Sequence, residues 1–542
     1  MTVTGEQTVR GTTELTSLRI ADSGNLIPPQ GNSLTMTVDG VERNIGPGVY
    51  SGKIVLTVTP QMPRRFLKLD PELFRTAILI DNHKFDRGRS VPAAILSGTV
   101  GDDGADNLVL RSEGDNFNGV IVSGDSKYTL RSPRITMIGD GGNDFSGFGA
   151  AVMATDQAEL TITDGLIDTQ GVIRGALFVN GNAKVNIFDT RINVRNGVLP
   201  ADFVVELELG KMKRVPWQMG VTGNARATMA GGNAEVHYKR STIRSEGWGA
   251  LSTDAPLERV RILVEDSLIE TTDSGYGAFA IGDTLQTFRN SRFEVADVGL
   301  MMAGHGSGTF TDGTVVNSRR FGVVMFWYPR VGTLRIDKKS VFNTASTAIQ
   351  IKDVGAVIVI DDAELNPGNG ILIQAMPDDS GDAPGRIPLG PLDTTRPASL
   401  PDDPAVLVSI RNTKLTGDIV NGRTEDGELR LTLENATVTG RISTTIVSPA
   451  TDQKPSAENV KLIGEVKNQY TATEHPNGLH LNLDPNGRWV VTGASYLTGL
   501  IIAGDASITG PDGEPAKITV NGQPVDAGKP GSYVGAIVVS PS

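Results

Sequence analysis

Gly277-Ala-Phe-Ala-Ile, Gly299-Leu-Met-Met-Ala and Gly322-Val-Val-Met-Phe repeat one phrase: a small residue, a short apolar run, a polar stop. The phrase also stands at Gly149-Ala-Ala-Val-Met, Gly175-Ala-Leu-Phe-Val, Gly249-Ala-Leu-Ser-Thr, Thr347-Ala-Ile-Gln-Ile and Gly370-Ile-Leu-Ile-Gln. From position 249 onward the steps are 28, 22, 23, 25 and 23 residues. A period of this size marks a solenoid, in which each repeat is one coil that buries its core by stacking on its neighbours. Residues at one offset in successive coils then lie about 4.8 Å apart, and the sequence can be read as columns of side chains.

The composition agrees. The chain of 542 residues has 64 Gly and no Cys, and its short runs are rich in Val, Ile, Thr and Leu. Asp164-Gly165, Asn180-Gly181 and Asp312-Gly313 are turn pairs of the kind that positive φ requires. These features predict an all-β solenoid of many short strands separated by turns. The absence of Cys excludes disulfides, thiolate metal sites and Cys nucleophiles. A formal charge of −12 argues against nucleic acid as a partner. No apolar run reaches the ~18 residues of a membrane span. Residues 1–7, Met-Thr-Val-Thr-Gly-Glu-Gln, carry neither a basic nor an apolar leader region. A secreted or cell-surface location therefore implies a signal already removed or a route without one, and the alternative is cytoplasmic.

Four segments follow. Residues 1–95 read as a β segment with a helical cap, where Asp70-Pro71-Glu72 predicts a short helix closing the solenoid end. Residues 96–375 are β-helix coils. Residues 376–404, with seven Pro and six Asp, form a long lid-like loop. Residues 405–542 return to β-helix coils and a cap. Thr161-Ile-Thr-Asp-Gly-Leu-Ile-Asp-Thr and Trp489-Val-Val-Thr-Gly-Ala-Ser-Tyr-Leu, together with the coil phrase, resemble the parallel β-helix superfamily. That superfamily includes pectin lyase-like enzymes, phage tailspikes and autotransporter passengers. The resemblance is architectural. It implies an all-β, right-handed parallel β-helix and a glycan as substrate, and no catalytic residue is carried over from it.

With the Gly of each phrase as offset zero, and Trp217 as zero of the irregular third coil, offsets two and four are nearly all apolar. They are expected to point inward. Offsets one and three then point outward, yet in the middle coils they read Ala278, Ala280, Leu300, Met302, Val323 and Met325. An outward apolar face marks either a binding floor or a face covered by the protein's own loops or by a sister subunit. Trp248 and Tyr276, just before offset zero, are read as a stacking wall. At offset six, Asp283, His305 and Tyr328 align in three successive coils, with Asp254 at offset five one coil earlier. An acid, a His and a Tyr in a row suit proton transfer. Asp is also a common turn residue, which covers Asp254 and Asp283 equally well.

The expected catalytic set is thus Asp283, His305, Tyr328 and Asp254. The expected binding set is Trp217, Trp248, Tyr276, Met302, Arg319, Met325, Trp327 and Lys352, with Arg319 and Lys352 available to an anionic group. No metal-ligand spacing, phosphate loop or cofactor motif is present, so neither metal nor cofactor is expected. The leading reading is a β-helix enzyme with a lateral groove. It would perform acid/base chemistry, as lyase, hydrolase or isomerase, on a glycan or a small aromatic or apolar molecule. The alternatives are a passenger-like structural protein or adhesin, and a trimeric tailspike-like component. A dimer or trimer is compatible with these readings.

Overall fold

The computed structural model describes residues 1–253, 259–327, 331–380, 405–425, 427–475 and 477–542. The chain winds as a parallel β-helix. Each coil contributes one strand to a 16-stranded sheet and two to the other faces. In the 16-stranded sheet, hereafter the first sheet, Gly249–Thr253, Tyr276–Ile281, Val298–Ala303, Phe321–Met325, Ile349–Lys352 and Ile371–Met376 pair in parallel succession. The second face runs through Arg261–Glu265, Leu285–Arg289 and Ser307–Thr311. The third runs through Leu268–Thr271, Arg292–Val295 and Val315–Ser318. The corner between the second and third faces is left-handed in coil after coil, at Asp164, Asp189, Asp266, Asn290, Asp312 and Asp362. Asp and Asn tolerate that conformation better than other side chains.

Residues 13–60 form antiparallel strands over the N-terminal end, and Ser495–Ile502 with Gly531–Ser540 does the same at the other end. Both ends therefore cover the exposed edge of the solenoid core. Residues Glu72–Asp81 are a strand, not the expected helix. They pair with Phe117–Ser123 in the first sheet. The Asp-Pro-Glu start signal loses to the demand of the first coil for a hydrogen-bonded neighbour. Among the described residues the helical segments are short 3-10 turns, including Pro92–Ala94 and Trp217–Met219. No helix among them is long and apolar enough to cross a membrane.

The interior is one continuous apolar core with a stack of Phe288, Phe293, Phe310 and Phe342 at its centre. Its first-sheet wall is the column Leu251, Ala278, Leu300, Val323, Ile349 and Ile373. Here the observed parity departs from the expected one. In the middle coils offsets one and three face in, and Phe279, Ile281, Met301, Ala303, Val324 and Phe326 face out. The cause lies at the corner. A side chain on Gly277 would collide with Phe293, and one on Gly322 with Phe342, so these glycines also point inward. Glycine and the next residue both face the core before strict alternation begins. Gly249 pairs with Tyr276, not with Gly277, so the phrase starts one register position apart in the two coils. A one-residue slip exchanges the faces of every residue that follows.

Candidate functional site

The outward side of the first sheet is apolar, and the chain itself roofs it. Phe279, Met301, Val324 and Phe326 belong to a second hydrophobic cluster, distinct from the interior one. Met212, Val215, Met219 and Val221, from the loop that precedes the coil of Arg226–Ala230, belong to the same cluster, and Met219 lines one cleft with Met301, Val324 and Phe326. This face is therefore buried within one chain and is not a free subunit contact. The predicted floor residues Met302 and Met325 lie in the interior core. Trp248 and Tyr276 are buried beneath the roof. The Arg226 guanidinium lies 4.3 Å from the Trp248 ring, and the Tyr276 hydroxyl meets Ser252 Oγ at 2.8 Å. Neither offers an open stacking surface.

Two pieces of chain complete the roof over coils 298–352. One is the 3-10 turn Trp217–Met219, which supplies neither the strand nor the zero of its coil; that strand is Arg226–Ala230. The other is a strap between the antiparallel strands Ile442–Pro449 and Val466–Tyr470. Arg320 ties both down. It donates to Gly220 O at 2.8 Å, to Lys461 O at 2.8 Å and to Ile463 O at 2.6 Å. Its neighbour Arg319, the predicted anion holder, is exposed and bonds Thr272 O.

Between floor and roof lies a cleft. Val298, Met301, Phe321, Val324 and Phe326 form its floor, Gln218 and Ile463 its roof, and Lys352, Asp378 and Ser380 its far wall. Its void is about 320 Å³ with the mouth included, of which about 10 Å³ admits the centre of a water. Lys352 is buried and donates to Asp379 Oδ1 at 2.6 Å. Asp379 Oδ2 accepts from Gly464 N at 2.6 Å, so Lys352 reaches the strap through one carboxylate. The outward column turns polar here, since Val324 pairs with Gln350 and Gln350 with Gln374. Gln350 Nε2 donates to Gly464 O at 2.8 Å, which fixes the orientation of its amide. Gln350 Oε1 and Gln218 Oε1 are both buried and accept no hydrogen bond among the described residues. The sequence columns single out neither glutamine. Gln350 reads as an ordinary strand residue, and Gln218 lies in the coil whose zero the column alignment misplaces.

The predicted turn column sits at the edge where the first-sheet strands end. Gly282 N donates to Ala303 O, which stacks the turn of Asp283 on that of His305. Asp283 is half-buried, and its Oδ2 binds Arg259 at 2.9 and 3.0 Å. His305 is partly buried. Trp327 meets the cleft residue Phe326 edge to face at 4.5 Å. Its Nε1 is buried and finds no acceptor among the described residues. Tyr328 and Asp254 lie outside the described residues, as does 381–404 of the expected loop.

The fold is a parallel β-helix. That assignment rests on the strand pairings above. No family model matches the chain. No curated protein matches it either. Among solved structures it is similar to the family 28 exopolygalacturonase of Yersinia enterocolitica, at 9% identity over 91% of this chain and 86% of that one, with a TM-score of 0.30.

Proposed function

We propose that the protein is a glycan-acting enzyme that seats one sugar unit in the roofed cleft. Its acid/base chemistry, by lysis, hydrolysis or isomerisation, then takes place at the adjoining strand-end edge. One observation carries this reading: Gln218 Oε1 and Gln350 Oε1 are buried and accept no hydrogen bond among the described residues, and both glutamines line the cleft with Met301, Phe321 and Val324. Buried acceptors are costly to leave unmatched, and a ligand that brings donors removes the cost. Hydroxyls are such donors, and the C–H face of a sugar ring suits an apolar floor. The cleft as it stands closed has room for roughly one water, so a sugar needs the roof to open. His305 is the proton-transfer residue of this reading, with Asp283, Asp254 and Tyr328 as partners and Trp327 and Lys352 at the border of cleft and edge.

A thermal-shift screen of neutral and acidic sugars, oligosaccharides and simple phenols tests it, because a ligand that binds only the folded chain raises its melting temperature. The expected hit is a sugar whose shift disappears in Gln218→Met/Gln350→Met. A phenol that shifts the protein while every sugar fails overturns the glycan reading. Silence across the screen with an intact fold overturns the cleft as a ligand site.

A further inference from the structure

The strap that roofs the cleft is attached differently from the rest of the roof. It leaves the first sheet after Pro449 and folds back over much earlier coils. Lys461 bonds Ser274 and Asp297, which lie 187 and 164 positions before it. Its buried apolar contribution is confined to Val460 and Ile463, and residues 451–454 are exposed. Polar staples do the holding. They are Lys461 on Asp297, Arg320 on two strap carbonyls and on Glu465, Gln350 on Gly464 O, and Gly464 N on Asp379. Segments with few buried apolar contacts open locally at a fraction of the global stability.

We propose that the strap between Pro449 and Val466 is a latched lid, closed when Lys461 is seated between Asp297 and Ser274, and that ligands larger than water enter the cleft only with the latch released. The inference rests on the reading of the cleft as a ligand site. Its necessity follows from size, since the closed cleft leaves about 10 Å³ for water centres, roughly one water molecule.

The latch has a second resting state built in. Asp297 is 1% exposed and already accepts Ser274 Oγ at 2.6 Å and Gly275 N at 2.7 Å. Withdrawing Lys461 alone would leave a buried carboxylate without its cation, which is strongly unfavourable. Arg320 Nη1 stands 3.8 Å from Asp297 Oδ1. When the strap lifts, Arg320 loses its two strap carbonyls and Glu465, and its guanidinium can close on Asp297. One cation replaces the other, so the carboxylate is paired in both states. The Lys461 side chain is 46% exposed, so the latch can be reached from solvent. The turn at 217–219 need not move with the strap, because Arg320 also holds Gly220 O and Ser274 Oγ accepts Thr222 N.

The test is hydrogen exchange on the full chain without ligand, resolved to the strap amides 460–465 and to the strands Val298–Ala303 and Phe321–Met325. In the wild type the strap amides should exchange faster than those strands. Lys461→Met keeps the stem and removes the charge. It should speed strap exchange by at least about tenfold and leave the strands unchanged. Asp297→Asn is the partner variant. Equal exchange of strap and strands in the wild type overturns the lid, and that measurement needs no variant to fold. Unchanged strap exchange in a folded Lys461→Met overturns the latch. A sugar screen without hits, beside a strap that loosens as expected, overturns the ligand reading and leaves the latch standing.

Discussion

Arg226 and Asp144 form an ion pair of 2.8 Å in which their side chains are 2% and 4% exposed. The guanidinium also lies 4.7 Å from the Phe145 ring and 4.3 Å from the Trp248 ring. The pair joins the loop around residue 145 to the first sheet at one end of the second core. Asp144→Ala leaves a buried cation facing two aromatic rings, and should cost about 3–5 kcal/mol. Asp144→Leu/Arg226→Met removes both charges and should cost less than either single change. Chemical denaturation followed by tryptophan fluorescence measures both. A double variant weaker than Asp144→Ala would show that the charges themselves, and not their pairing, hold the loop.

Glu42 gives the N-terminal cap a defined pH response. It is fully buried, bonds Ser112 Oγ at 2.5 Å and lies 3.4 Å from Arg75. Burial raises its pKa above the ordinary carboxyl value, with Arg75 and Ser112 opposing. The folded chain therefore holds this proton at a pH where the unfolded chain has released it. The contribution of Glu42 to stability is complete below the unfolded pKa and is lost as pH rises through the folded one. Glu42→Gln has no such proton to lose. Its stability relative to the wild type should improve as pH rises from about 4.5 toward neutrality. A difference that stays flat across a pH series of melting curves would remove the linkage.

At the strand-end edge the prediction separates catalysis from structure. The Arg259–Asp283 pair is exposed, so Arg259→Ala should change stability by less than about 1 kcal/mol. With a turnover substrate in hand, His305→Ala should lower kcat at least about a hundredfold, with ligand-induced thermal shift retained. Tyr328→Phe should lower kcat as well if its hydroxyl takes part. Unchanged turnover in both His305→Ala and Tyr328→Phe would sink this edge as the reaction centre.

The cleft glutamines make a narrower claim. Gln350→Met also removes the donor to Gly464 O, so it should cost about 1–3 kcal/mol locally. Gln218 Oε1 accepts no hydrogen bond among the described residues, so Gln218→Met removes a buried unmatched acceptor and should not lower stability. If both oxygens receive ligand hydroxyls, each change weakens binding, and Gln218→Met does so with no loss of fold. Isothermal titration with the sugar found by screening decides this. Affinity unchanged in Gln218→Met would take that oxygen out of the site.

The solenoid, its strand spacing and its left-handed Asp and Asn corners are legible because each is a local preference repeated in every coil. Gly277, Gly299 and Gly322 announce the corners correctly. Their direction is not legible, because glycine carries no side chain whose polarity would reveal that it faces Phe293, Val316 or Phe342. The roof is invisible for a different reason. Lys461 and Asp297 lie 164 residues apart, and nothing near either one names the other. The helix expected at Asp70 rests on a start signal alone, and pairing with Phe117–Ser123 outweighs it. Lys352 ends the strand Ile349–Lys352, and its ion pair with Asp379, 27 residues on, is likewise named by nothing near either residue.

Phe279 and Ala278 are adjacent residues on which the two parities disagree most. If Phe279 pointed into the solenoid and Ala278 to solvent, enlarging Ala278 would be nearly free. In the structure the Phe279 ring packs outward, 5.6 Å from Tyr276 and 6.2 Å from Phe326 under the roof, while Ala278 faces the interior between Leu251 and Leu300. Phe279→Ala should cost about 3–5 kcal/mol by opening a cavity in the second core. Ala278→Phe should cost about 1–3 kcal/mol or more, because neighbouring coils only about 4.8 Å away leave no volume for a ring. The two losses should differ in kind. Phe279→Ala loosens the roof, so exchange at Met219 rises first. Ala278→Phe strains the coil, so exchange rises in Leu285–Arg289 and Arg292–Val295. An Ala278→Phe variant as stable as the wild type would return the outward face to Ala278 and reverse the register of every middle coil.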